Sequence, residues 1–289
     1  MLEAREYSPG AALAPGPVKV IAVTGGKGGV GKTTVTANLA VGLAQRGRDV
    51  LVLDADLGLA NLDVMLGLQP RYNLSHVLAG ERTIDEVLVE GPAGVKIIPA
   101  SSGVRRMLSL NPLEQAGLIR AFSDMKRHID VMLLDTAAGI HEDVLLFSRA
   151  AHHVMVVVCD EPASLTDAYA LIKVLSRDFG VGRFRILASQ TRVLGEGRDL
   201  YEKLRKVCDR FLDVTLDFAG AVPQDDFIRK SIQCQRAVVD QYPGSIGGQA
   251  FKKLASVADS WGTPAGASGH LEFFVERMVL GKAGVSSLQ

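Results

Sequence analysis

The densest chemistry in the chain lies in eight consecutive residues. Gly26 to Thr33 read G-K-G-G-V-G-K-T, which satisfies G-x-x-x-x-G-K-[ST]. Gly26, Gly28, Gly29 and Gly31 let backbone N–H groups turn inward and approach an anion closely, with Val30 between them. Lys32 brings a positive charge to the β- and γ-phosphates of a nucleotide, and the Thr33 hydroxyl can ligate Mg²⁺. Two further segments fit the same chemistry. Val131 to Asp135 (VMLLD) is an apolar run ending in a carboxylate, followed by T-A-A-G, so Asp135 can hold Mg²⁺ through water and Gly139 can donate to a γ-phosphate. Asp54 and Asp56 end the run from Val50 in the same way. The chain contains no N-K-x-D guanine reader, so the nucleotide is taken as ATP. Lys27 stands apart: beside Lys32 a second cation is redundant within one subunit, and it makes more sense if it serves a charge elsewhere.

These residues need a frame that gathers strand ends and a helix start. Val18 to Thr24 is a β-branched run that enters the glycines, and a helical pattern runs from Lys32 to Arg46, with Gly47 placed to end it. Strand patterns follow at Val50–Asp54, Val95–Pro99, Asp130–Asp135, Val154–Cys159, Phe184–Ala188 and Leu216–Val222. Helical patterns lie between them at Pro112–Arg127, Glu142–Ala151, Ser164–Phe179 and Gly197–Leu212, before a helical C-terminal third. The strands are continuous apolar runs, which implies burial on both faces. The order predicts an α/β fold, a mostly parallel doubly wound sheet with helices on both sides, whose ligands gather at the carboxyl ends of the strands.

Composition narrows the classes. The formal net charge is zero, which argues against general affinity for nucleic acid, so no direct nucleic acid is expected. Cys159, Cys208 and Cys234 show no C-x-x-C or zinc-like spacing. No run reaches the ~18 apolar residues that a membrane-spanning helix needs. The first residues carry Glu3 and Glu6 and then a Pro/Gly/Ala run, a pattern unlike that expected of a signal peptide. The expected organisation is a tail over 1–17, an ATPase domain over 18–262, and a linker, amphipathic helix and polar tail over 263–289.

The segment K-G-G-V-G-K-T-T, Lys27 to Thr34, resembles the deviant Walker A loop of the MinD/ParA ATPases. Asp54 to Asp63 (DADLGLANLD) is similar to the first switch of the MinD branch and Asp135 to Gly139 to its second. Asp160 to Asp178 (DEPASLTDAYALIKVLSRD) and Gly269 to Arg277 (GHLEFFVER) resemble the FlhG/FleN branch, whose members limit flagellar number. The resemblance implies a P-loop NTPase that hydrolyses Mg·ATP and forms a homodimer on ATP. In that scheme Lys27 reaches the phosphates of the partner subunit, Asp56 orients the attacking water, and Asp54 and Asp135 are Mg²⁺-side carboxylates. Asn61 lies near the γ-phosphate, Glu161 touches nucleotide across the dimer, and Pro223, in V-P-Q-D, lines adenine. Thr34 belongs to the same loop.

Two departures from the family's pattern bear on function. Ser189-Gln190 stands where the family often has Asn near adenine. The N-terminal tail lacks the D-Q-A-x-x-L-R stretch with which some members stimulate the FlhF GTPase, which favours restraint of a FleQ-type transcription activator. The implied location is cytoplasmic, with a peripheral place at the inner face of the membrane and the cell pole. The alternative is a MinD/ParA-like spatial regulator of division-site or cargo positioning. An electron-transfer ATPase related to the nitrogenase iron protein would need paired cysteines, and the spacing offers none.

Leu271, Phe274, Val275, Met278 and Val279 fall on one face of a helix over 270–280. That face suits a membrane surface or a docking site on protein, and the pattern leaves both open. His152 and His153 begin a buried strand without acidic or cysteine neighbours and are expected to be structural, and Trp261 is expected to anchor packing.

Overall fold

The computed structural model describes residues 17–56, 61–100, 117–118, 120–122, 124–125 and 127–263. The predicted helix over 270–280 lies outside them, as does much of the one predicted over 112–127, of which Gly117, Leu118 and residues 120–122 are seen to be helical.

Among the described residues, eight strands form one sheet: β1 (Lys19–Gly25), β2 (Val50–Ala55), β3 (Val89–Glu90), β4 (Lys96–Ile98), β5 (Val131–Ala138), β6 (His153–Val158), β7 (Arg183–Thr191) and β8 (Thr215–Pro223). Their order is β3-β4-β2-β5-β1-β6-β7-β8, and every pairing is parallel except β3 with β4. The helices are α1 (Lys32–Ala44), α2 (Leu62–Met65), α3 (Leu74–Leu78), α4 (Ile84–Val87), α5 (Glu142–Arg149), α6 (Pro162–Phe179), α7 (Glu196–Phe211), α8 (Asp226–Gln233), α9 (Val238–Gln241) and α10 (Ile246–Asp259). The mostly parallel doubly wound architecture expected from the sequence is present.

The central strands are buried along their length because alternate side chains enter two cores. Ile21, Val23, Val50, Val52, Val131 and Leu133 pack with α1, α9 and α10 on one face. Val20, Ala22, Leu51, Leu53, Met132 and Leu134 face the other way, against Leu74, Ile84, Phe122 and Phe147. Burial on this scale, at ~25 cal/mol per Å² of apolar surface, fixes the strand register and hence the positions of the strand ends. The sequence did not reveal β3: two residues are too few for any periodicity, and this antiparallel piece closes the edge beside β4.

The far end of the sheet is tied by polar groups. Buried Lys19 donates to the carbonyl oxygens of Ala258 (3.1 Å) and Asp259 (2.7 Å), at the C-terminal end of α10. A cation suits that end of a helix, where the last carbonyls have few intrahelical donors. Trp261 is buried, with its ring 5.3 Å from His153 and the Arg185 guanidinium 5.1 Å from its centre. Burial pushes His153 down to about 4, so the ring is neutral, and its Nε2 lies 2.8 Å from the Gly262 carbonyl. His152 Nδ1 accepts from the Val20 N–H at 3.0 Å. Both histidines and Trp261 hold structure, as expected.

Candidate functional site: a phosphate loop between two clefts

The loop from β1 to α1 is shaped by close approach. A Cβ on Gly26 would lie 2.3 Å from the backbone carbon of Asp167 in α6, so only glycine fits where the loop passes that helix. Gly29 (φ +80) and Gly31 (φ +94) sit in the left-handed region that glycine favours. Gly31 is the N-cap of α1. Among the described residues no side chain caps this helix, and no acidic residue stands in its first turn, so its N-terminal donors and dipole suit an anion.

Lys32 is buried and reaches back toward the Lys27 carbonyl at 3.4 Å. Burial lowers its pKa, opposed by the charges of Asp135 and Asp56. Asp54 and Asp135 stand opposite each other in the β2–β5 register, each 1% exposed. Burial, and then the charge of Asp135, hold Asp54 above the ordinary carboxylate range. Burial raises Asp135 as well, against hydrogen bonds from Thr33 and Thr36. The Thr36 hydroxyl donates to Asp135 Oδ1 at 2.9 Å. Two buried carboxylates side by side, with Thr33 at hand, make a hard-oxygen set that suits Mg²⁺, whose charge would relieve their repulsion.

Asp54 also organises the first switch. Its Oδ1 accepts from the Asp56 N–H and its Oδ2 from the Leu62 N–H, both at 3.2 Å. One buried side chain therefore holds both ends of the segment between β2 and α2. Asp56 and Asn61 line a cleft of ≈ 930 Å³ together with Gly28, Gly29, Gly31, Lys32, Thr33 and Thr34. Its far wall is Ala137, Ala138, His141, Glu142 and Asp143. Those last three were not singled out from the sequence, and their only signal is their place just after the second switch.

A second cleft, ≈ 510 Å³, shares Gly29, Gly31 and Thr34 with the first and opens toward β8. It is lined by Ser189, Gln190, Pro223 and the α8 side chains Ile228, Arg229 and Ile232. Phosphates on the loop would thus leave a base room on this side, beside Pro223.

Comparisons with known proteins identify the family. Residues 18–177 match the model of an AAA domain family. The chain is 57% identical over 263 residues to the antiactivator FleN of Pseudomonas aeruginosa, covering 91% of this chain and 94% of that one. It is 32% identical over 243 residues to the flagellum site-determining protein YlxH of Helicobacter pylori, covering 84% and 82%. Among solved structures, the septum site-determining protein MinD of Pyrococcus horikoshii, complexed with Mg-ADP, aligns with a TM-score of 0.67 at 29% identity, over 84% of this chain and 97% of that one. The chain belongs to the MinD/ParA-type ATPases, in the FlhG/FleN branch. It is an ATPase that uses ATP and Mg²⁺.

Within this MinD/ParA-type site, not every residue expected from sequence reaches a cleft. Val30 is buried in the core beneath the loop. Gly139 (φ +100) donates its N–H to the Gly25 carbonyl at 3.1 Å and does not line the phosphate cleft. Lys27 lines neither cleft. It forms an ion pair with Glu161, the N-cap residue of α6, at the rim. That hydrogen bond raises the Lys27 pKa. The sequence pointed Lys27 at a charge elsewhere, and within this subunit Glu161 answers it. Gln190, one of the two residues that depart from the family's pattern, is in the left-handed region (φ +59), and its amide donates to the Gly29 carbonyl at 2.8 Å.

Proposed function

We propose that the chain is a switch that binds Mg·ATP, self-associates face to face, and limits flagellar number by restraining a FleQ-type transcription activator and acting with the FlhF GTPase. The observation that carries this reading is the outward position of Lys27. A loop lysine that fed its own phosphates would line the cleft with Lys32, whereas Lys27 sits at the rim, paired with an exposed carboxylate. A second copy could offer it a nucleotide phosphate instead, with Glu161 released to contact the same molecule.

Within each subunit, Lys32 and the backbone of Gly26 to Thr34 hold the triphosphate, while Thr33, Asp54 and Asp135 hold Mg²⁺. The metal supplies charge neutralisation at the phosphates. Asp56 orients the attacking water, and Asn61 and Gly139 attend the γ-phosphate. Gly139 does so once its N–H leaves Gly25. Pro223 lines the base. The ATPase domain spans 18–262, with 1–17 as a tail and 263–289 as an appended linker and helix. That helix, over 270–280, meets a membrane surface or docks on protein, and the protein works in the cytoplasm, at the inner face of the membrane and the pole. The names of FleN and YlxH support the flagellar role.

Counting flagella by electron microscopy in a deletion strain tests the role. Deletion should raise the number per cell, a wild-type copy should restore it, and an Asp56→Ala copy should fail to give normal control. An unchanged flagellar count with displaced division septa would overturn this reading in favour of division-site positioning.

A further inference from the structure

Gln235 lies between the end of α8 and α2. It follows α8, and with φ +55 it is one of three non-glycine residues in the left-handed region among those described. That conformation ends the helix: Gln235 is the residue just past the C-cap of α8, where a left-handed residue is common. Here the Gln235 N–H bonds to the Ile232 carbonyl (2.9 Å), and the next residue, Arg236, bonds to that of Ser231 (2.9 Å). These bonds tie Gln235 to the last turn of α8.

Its side chain bonds to the neighbouring α2. Gln235 Nε2 donates to the Val64 carbonyl in α2 at 2.9 Å, across 171 residues of sequence. The backbone approaches closely too: a Cβ on Gly67, just past α2, would come within 3.2 Å of the Gln235 Cβ. At the other end of α2, the Leu62 N–H is held by Asp54, and Asn61 lines the phosphate cleft with Asp56. A continuous path therefore runs from Ile228, Arg229 and Ile232 in the base-side cleft, through α8 and Gln235, to α2 and the first switch.

We propose that Gln235 is a positioning residue that conveys occupation of the base-side cleft to the first switch, so that hydrolysis is fastest when a purine base fills the cleft. The proposal rests on the reading that the base sits beside Pro223. The amide bond to Val64 lies at the surface, where one neutral hydrogen bond adds little to stability, so its value lies in placing α2. A base pressing on α8 moves the residue that grips the switch. A nucleotide with a smaller base leaves α8 less constrained and the switch less well placed.

The test uses the full chain and two variants, Gln235→Gly and Gln235→Glu. Glycine frees the backbone and removes the amide. Glutamate keeps the shape and loses the donor to the Val64 carbonyl. For each protein, kcat is measured with saturating MgATP and MgUTP, and Kd is measured by titration. The wild type should turn over ATP faster than UTP. In both variants kcat for ATP should fall about fivefold, toward the UTP value, with UTP turnover and ATP affinity within about twofold of wild type. Variants that keep the wild-type ratio of ATP to UTP turnover would overturn the proposal. So would an equal fall for both nucleotides, which would mean that Gln235 steadies the switch whatever the base. If wild type binds ATP and UTP equally and turns them over equally, the base-cleft reading fails and the proposal fails with it. If it binds them differently but turns them over equally, the proposal alone fails.

Discussion

On the side of the phosphate loop that faces α5, the wall joins the end of β5 and Asp56, just past β2, to the start of α5. Behind it, Asp54 and Asp135 are register partners within β2 and β5, buried and off the cleft lining. On the side that faces β8, the wall combines the ends of β7 and β8 with α8, and long-range side-chain hydrogen bonds join it to the rest of the site. Gln190 reaches Gly29 across 161 residues of sequence, and Gln235 reaches Val64 across 171. The first side is fixed by sheet register, which a single bond cannot shift. The second depends on individual surface hydrogen bonds, each worth about 1 kcal/mol. Substitutions on the first side should therefore act on binding and metal use in large steps, and those on the second should tune affinity or turnover.

The largest effect belongs to Lys32→Ala. It removes a buried charge partner from the phosphates, worth about 3 kcal/mol, so MgATP affinity should fall about 100-fold or more in equilibrium dialysis. Unchanged affinity would place the phosphates elsewhere.

Asp54→Asn sharpens the contrast, because stability and function should move in opposite directions. Without metal, removing one of two adjacent buried charges should stabilise the fold by about 1 kcal/mol, a rise of roughly 2–4 °C in Tm. Added Mg²⁺ with ATP should then protect the variant less than the wild type, as read by thermal unfolding with and without Mg·ATP. A variant that melts lower without metal would show that the hydrogen bonds from Asp56 and Leu62 outweigh the repulsion.

Gln190→Ala should have the smallest effect, a two- to tenfold loss of MgATP affinity, as expected for one neutral hydrogen bond holding the loop. Isothermal titration would show it, with turnover at saturation little changed. A loss as large as that of Lys32→Ala would erase the distinction between the two sides.

The same contrast decides what the sequence could tell. The first side was legible because its groups lie at the ends of apolar runs: the run into Gly26, the run ending in Asp54 and the run ending in Asp135 each mark a strand end, and a parallel sheet brings those ends together. The helix expected over Lys32 to Arg46 is observed to Ala44, with Gly47 left-handed just beyond it. Thr36 could have been read, since it lies on the loop helix one turn from Lys32. The second side was legible at Pro223 and at Ser189-Gln190, and only through resemblance. Nothing local to Gln190 or Gln235 announces a bond to a backbone carbonyl far along the chain, and both adopt a backbone that sequence patterns assign to glycine or asparagine. The Lys27–Glu161 pair was hidden for the same reason: 134 residues separate its members, and the approach of β6 and α6 to the loop creates it.

The central claim is that Lys27 serves a second copy of the chain and not its own nucleotide. Light scattering of Lys27→Ala with MgATP, beside a binding titration on the same sample, tests it most directly. ATP affinity of the monomer should stay within about threefold of wild type, because Lys32 and the loop backbone remain. The ATP-dependent dimer should be lost, since breaking a desolvated charge contact from one side costs on the order of 2–5 kcal/mol. A Lys27→Ala protein that dimerises on MgATP like the wild type would contradict the account, as would one that no longer binds ATP as a monomer.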